Sequence, residues 1–100
     1  MTPFEALAEP NRRRLLDLLR AGERRAGELV AAMDLCQPGV SKHLKALREA
    51  GLVSVRAEGQ QRVYRLEARK LVELDVWLKP YRHFWADKLD ALEAHLEREQ

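Results

Sequence analysis

The spacing of the apolar residues changes at Gly51, and that change limits the folds open to this chain. Before it, Val40, Leu44 and Leu47 recur at i, i+4 and i+7 and share one face of a helix. After it, Val53 and Val55 alternate with Ser54 and Arg56, and further on Tyr64 and Leu66 alternate with Val63 and Arg65, the period of a strand. Between the two alternating runs lies Glu58-Gly59-Gln60-Gln61, where Gly59 tolerates the positive φ that a hairpin loop usually needs. Gly51 is expected as the left-handed cap of the preceding helix, with Leu52 supplying the apolar contact that accompanies such caps. A helix should therefore stop and give way at once to a β-hairpin over residues 53–66.

Upstream the punctuation is helical. Thr2, Pro3 and Glu5 spell an N-cap, a first helical position and the partner of a capping box, opening a short helix to about Ala8. Pro10 opens a second helix with Leu15, Leu16, Leu18 and Leu19 on its apolar face and Gly22 at its end. A third is expected from roughly Ala26 to Met33, with Leu29, Val30 and Met33 on one side. The fourth begins near Gln37 with Pro38 in its first turn, where the missing N–H costs little. From Ala68 onward the pattern is helical again. Pro80 interrupts it, so a kink or break is expected there, with helices near 68–78 and 81–98. The fold class is mainly α with a small β-hairpin in a single domain spanning residues 1–100.

Charge divides the chain. Residues 1–66 hold 12 Lys or Arg against 8 Asp or Glu, a net of +4, whereas residues 67–100 hold 6 against 8, a net of −2. The basic part suits a polyanionic partner, and the acidic remainder a different task. Cys36 is the only cysteine, so neither an intrachain disulfide nor a multi-cysteine metal cage can form within one chain. No run approaches the roughly 18 apolar residues of a membrane span, and the opening MTPFEALAEP has no basic n-region or apolar h-region. A soluble, cytoplasmic protein without membrane contact is expected.

Helix, helix, helix, helix, hairpin, helix is the order of a winged helix-turn-helix, in which a recognition helix needs an apolar face to seat it and a donor-rich face for the major groove. With Val40, Leu44 and Leu47 turned inward, Gln37, Ser41, Lys42, Lys45 and Arg48 are left on or beside the outer face. Gln37 and Ser41 fall in the first turns and are the candidate base readers. Lys42 and Lys45 suit phosphates, and His43 is included among the DNA contacts. On the hairpin, Arg56 and Arg62 flank the tip, with Gln60 in the loop, placed for the backbone or a narrow minor groove. Arg14, with Arg12, Arg13, Arg24 and Arg25, lies near the starts of the second and third helices, where arginines can clamp phosphates. Residues 1–66, with the wing at 53–66, form the expected DNA-binding core, and duplex DNA is the expected partner.

The run from Leu35 to Val53, Leu-Cys-Gln-Pro-Gly-Val-Ser-Lys-His-Leu-Lys-Ala-Leu-Arg-Glu-Ala-Gly-Leu-Val, resembles the recognition-helix signature of ArsR/SmtB-type bacterial regulators. The opening from Ala8 to Leu16 and the wing from Gly59 to Leu66 are similar too, so the resemblance spans nearly the whole chain. It implies a homodimer that represses transcription by occupying an operator and is released by a signal. Members that sense soft metals carry Cys-x-Cys at the start of the third helix. Arg25 and Gly27 stand there in this chain, which excludes thiolate sensing at that site on ligand chemistry. A second subset carries Asp and His ligands on the last helix. Asp75 matches the first position, but Trp77, Lys88 and Ala91 occupy the others, so this site is also expected to be absent. No metal and no cofactor is expected, and the small-molecule effector is unknown.

Cys36 stands where the family usually has a Ser cap. Cysteine is a poorer cap, and a thiol at a helix start is a candidate redox sensor, the alternative being inert substitution. His83 with Asp87 and His95 with Glu99 are i, i+4 pairs that read more readily as surface ion pairs than as metal ligands. Tyr81, Trp85, Leu89, Leu92 and Leu96 form an apolar stripe along the terminal helix, and Trp77, Tyr81, Phe84 and Trp85 gather near Pro80. That stripe, with Trp77, is the expected dimerisation surface within residues 68–98. Two other classes compete with this reading. One is a protein-interaction module on the same fold without specific DNA binding, against which the basic recognition face argues. The other is an enzyme, for which no nucleophile, base and orienting group are spaced suitably, Cys36 and His43 lying seven residues apart on one helix.

Overall fold

A computed structural model describes residues 1–98, with backbone alone at position 98. The elements run α1 (Pro3–Leu7), α2 (Pro10–Arg20), β1 (Arg24–Arg25), α3 (Ala26–Ala32), α4 (Gln37–Glu49), β2 (Val53–Glu58), β3 (Gln61–Leu66), a 3-10 turn (Ala68–Leu71) and α5 (Val72–Arg98). This is a winged helix-turn-helix. α3 ends a residue earlier than expected, with Met33 as its C-cap.

The caps explain where the helices start. The Thr2 hydroxyl accepts from the Glu5 backbone N–H at 3.2 Å, with Pro3 at the first helical position. α2 is capped by Glu9, whose carboxylate accepts from the Arg12 N–H at 3.1 Å. That cap is not legible in a sequence scan for Ser, Thr, Asp or Asn. α4 ends as its sequence requires: Gly51 has φ +77°, its N–H reaches the Arg48 carbonyl and the Leu52 N–H reaches the Leu47 carbonyl, both at 3.0 Å. The pair of bonds satisfies carbonyls that the helix end leaves open and turns the chain straight into β2.

Leu15, Leu29, Val40, Leu44, Leu47 and Leu52 are fully buried and form the centre of the core with Ala6, Leu16, Leu19, Met33, Val53 and Tyr64. Each buried leucine contributes about 2 kcal/mol of apolar transfer energy. The same burial presses α4 onto α2 and α3 by one face and leaves its opposite face in solvent.

The sheet has three strands rather than the two of the expected hairpin. β1 is a two-residue strap that pairs antiparallel with β3, giving the order β1-β3-β2. In the hairpin Val55 pairs with Tyr64, Arg56 with Val63 and Ala57 with Arg62. A strand of two residues has no measurable alternation, which is why Arg24-Arg25 reads as loop from sequence.

The expected break at Pro80 is corrected by a single helix that runs through it from Val72 to Arg98. Proline at 80 removes the donor for the carbonyl of residue 76. Val76 and Pro80 are both exposed, so water can take that bond and the helix continues. The residues 68–71 that were expected to begin an α-helix are instead a 3-10 turn. α5 projects well beyond the core, giving the molecule extents of 61 × 28 × 20 Å. No helix among the described residues is long and apolar enough to cross a membrane.

Candidate nucleic-acid interface

The outer face of α4 carries Gln37, Ser41, Lys42, Lys45 and Arg48, all exposed. The Ser41 hydroxyl makes no hydrogen bond among the described residues, so it is available to an outside partner. His43 is placed differently from the expectation. It lies three residues after Val40 and four before Leu47, which puts it beside the buried stripe. Its side chain is 18% exposed and its Nδ1 sits 3.7 Å from Glu9 Oε2. Since Glu9 also caps α2 and accepts from the Asn11 amide, His43 joins the recognition helix to the start of α2 rather than facing outward.

A cleft of about 600 Å³ separates the start of α4 from the wing, lined by Arg25, Gly27, Glu28, Gln37, Gln60 and Arg62 among others. A smaller crevice of about 190 Å³ continues beneath it, where Gln37 and Ser41 stand at the edge of an apolar floor that includes Val30, Val40, Leu44 and Tyr64. The cleft is rich in amide and guanidinium donors with one carboxylate, Glu28, whose oxygen already accepts from the Arg25 backbone N–H at 3.1 Å.

The two wing arginines do not share a face. Residues paired across strands point to the same side of a sheet, so Arg62 stands with Ala57 on the side of Tyr64, which faces the core and α4, while Arg56 stands with Val63 on the other. Arg62 makes no ion pair among the described residues. Arg56 is held by Glu23 at 2.8 Å and by Glu58 at 3.3 Å. On the same far face Arg65 binds Glu67 at 2.9 Å. The hydrogen bond from Arg65, followed by the one from the Ser54 hydroxyl at 2.8 Å, holds the Glu67 carboxyl below its ordinary range, and Arg65 is raised in turn.

The arginines of α2 also separate. Arg13 donates to the Leu7 carbonyl at 2.7 Å, and Arg12 approaches the Met1 sulfur at 3.2 Å with its Nε buried, so both serve the junction with α1. Arg14 is exposed and makes no ion pair among the described residues. Cys36 is exposed at the N-cap of α4 and its sulfur accepts no capping hydrogen bond.

On α5, Trp77, Tyr81, Trp85, Leu89, Leu92 and Leu96 are all about half exposed or more. Trp77 meets Phe4 edge-on at 5.8 Å and Tyr81 at 5.0 Å, which ties α5 to α1. Arg25 and Gly27 line the cleft at the start of α3, and among the described residues no group of three or more His, Cys, Asp or Glu could hold a metal ion. Of the two helical His–carboxylate pairs, His95–Glu99 involves Glu99, which lies outside the described residues.

A recognition helix seated by its apolar stripe, exposing donors beside a hairpin wing, defines a winged helix-turn-helix regulator that binds duplex DNA. Residues 9–55 match the family described as bacterial regulatory protein, arsR family. The chain is 33% identical over 75 residues to the transcriptional repressor SdpR of Bacillus subtilis, a match covering 75% of this chain and 83% of that protein. It is 44% identical over 71 residues to the biofilm growth-associated repressor of Agrobacterium fabrum, covering 71% of this chain and 61% of that one. A crystal structure titled possible transcriptional regulator for arsenical resistance superposes with a TM-score of 0.70 at 42% identity, covering 90% of this chain and 91% of that one. The chain belongs to the arsR family of bacterial transcription regulators, whose members are not enzymes.

Proposed function

We propose that this chain is a transcriptional repressor that binds an inverted-repeat operator as a homodimer. The observation that carries the reading is the exposed face of α4, with Gln37, Ser41, Lys42 and Lys45 on it, set across a donor-lined cleft from Arg62 and Gln60 on the wing. In this arrangement Gln37 and Ser41 meet base edges, while Lys42, Lys45, Arg62 and Arg14 neutralise phosphates and supply the salt-dependent affinity. Residues 1–66 perform the DNA contact and residues 68–98 the pairing of two copies. The stripe on α5 supports that division, because a helix of 27 residues reaches about 40 Å and this one leaves its apolar side chains uncovered along most of that length. Two such copies place their recognition helices in successive major grooves about 34 Å apart. The named repressors among its relatives support repression as the outcome. Cytoplasmic residence follows from that role.

Footprinting on the DNA upstream of the chain's own gene tests the reading. Two protected half-sites about one helical turn apart are expected, and Gln37→Ala or Ser41→Ala should blur the preference for the site while leaving weak general binding intact. Absence of any protected segment at low salt, or binding indifferent to both salt and sequence, overturns it.

A further inference from the structure

Val63 is only 5% exposed, yet it lies outside the core cluster, on the face of the sheet turned away from α4. In its register row it stands between Arg25 of β1 and Arg56 of β2, so the aliphatic stems of two arginines flank it from either side. The charged ends of those arginines are joined in a chain. Arg56 holds Glu23 at 2.8 Å and Glu58 at 3.3 Å, and the other oxygen of Glu58 lies 3.8 Å from Arg25. Because the strand order is β1-β3-β2, β1 and β2 share no backbone hydrogen bonds, and this chain of charges is the direct link between them that passes over β3.

We propose that Arg56 is a positioning residue rather than a DNA contact: with Glu23, Glu58 and Arg25 it clasps the hairpin to the β1 strap and thereby sets where Arg62 and Gln60 stand relative to α4. This rests on the DNA-binding reading above. Two arginines and two glutamates cancel, so the clasp carries no net charge with which to attract a phosphate, and Arg65 on the same face is likewise matched by Glu67. Arg62 on the opposite face keeps its full charge. Past Arg56, residues 57–62 are all exposed and receive no support from the core. The orientation of the tip is therefore set at its base, where β1, a strand of two residues, supplies only two pairs of the ladder. Each exposed ion pair alone is weak, but Arg56 engages two carboxylates, Glu58 on its own strand and Glu23 in the turn just before β1, and restrains one direction of hinge motion.

The test compares Arg56→Gln, Glu23→Gln and Arg62→Gln for affinity and salt dependence on duplex DNA from upstream of the chain's own gene. For Arg56→Gln, affinity should fall about fivefold, the scale of one marginal exposed pair, with the slope of log K against log salt unchanged. Glu23→Gln should weaken binding in the same way even though it removes a negative charge from a DNA-binding protein. If Arg56 were a phosphate contact and Glu23 its competitor, the signs would differ: Arg56→Gln would lower the slope by about 0.9, and Glu23→Gln would tighten binding. Either of those results, or unchanged affinity in both variants, overturns the proposal. Amide exchange in the free protein gives a readout that does not need DNA. Arg56→Gln should accelerate exchange in the β1–β3 ladder with no change in melting temperature, and unaltered protection there overturns the clasp. A wild-type protein that binds no DNA would instead remove the functional reading and leave the clasp to be judged by exchange.

Discussion

Arg56 and Arg62 stand on opposite faces of one hairpin, because the register pairs the first with the largely buried Val63 and the second with Ala57. One turns toward the recognition helix and is unpaired among the described residues, and the other turns away into two carboxylates. Arginines similar in sequence position thus enter the DNA question with unequal charge.

Arg62→Gln should weaken binding by a similar factor on specific and unrelated duplexes and lower the salt slope by about 0.9, the loss of one phosphate contact. Titrations at several salt concentrations measure both quantities. An unchanged slope would remove Arg62 from the interface.

If the α5 stripe pairs two copies as proposed, Trp85→Glu should yield monomers in sedimentation equilibrium while leaving the helical circular dichroism intact. Trp85 is 48% exposed and has no ring partner among the described residues, unlike Trp77, whose contact with Phe4 supports the fold. A charge placed in the middle of an apolar interface has to be desolvated without a partner, which costs several kcal/mol. A dimer of undiminished affinity in this variant would exclude the α5 stripe as the contact.

Cys36→Ser should stabilise the protein by about 0.5–1 kcal/mol, since serine accepts from a backbone N–H at the start of α4 where the present sulfur does not. Urea unfolding measures this. The same variant tests redox sensing at the exposed thiol. Loss of operator binding on mild oxidation in the native protein, abolished in Cys36→Ser, supports a sensor, and an identical response in both proteins ends that idea.

Glu67 links stability to pH. The Arg65 and Ser54 hydrogen bonds favour its charged form, so its carboxyl titrates lower in the folded state than in the unfolded one. The stabilisation is present at pH values above the ordinary carboxylate range and is lost as pH falls through the lowered folded value. Melting curves of the native protein and Glu67→Gln should therefore differ at neutral pH and converge in acid. A gap that stays constant over that range would show that the carboxylate contributes nothing through its charge.

What could be read from sequence was local and periodic. Val40, Leu44 and Leu47 determined the buried stripe of α4, and so by exclusion its outward face. Gly51 and Gly59, at φ +77° and +63°, marked the helix stop and the hairpin turn because other residues adopt such angles at a cost. Arg25 and Gly27 stand where the resemblance places a Cys-x-Cys pair, and neither residue can offer a thiolate.

Only the tertiary structure decided the rest, for reasons that spacing does not carry. Spacing from Val40 and Leu47 sets His43 beside the buried stripe, but its partner Glu9, 3.7 Å away, comes from a distant turn that only packing brings near. The helix passes Pro80 because Val76 and Pro80 both lie exposed, where water can replace the donor lost there. Arg56 is neutralised because strand order brings Glu23 beside it across a third strand. A sequence determines which residues share a face within one element. Which faces meet, and which charges cancel when they do, is decided when the elements pack.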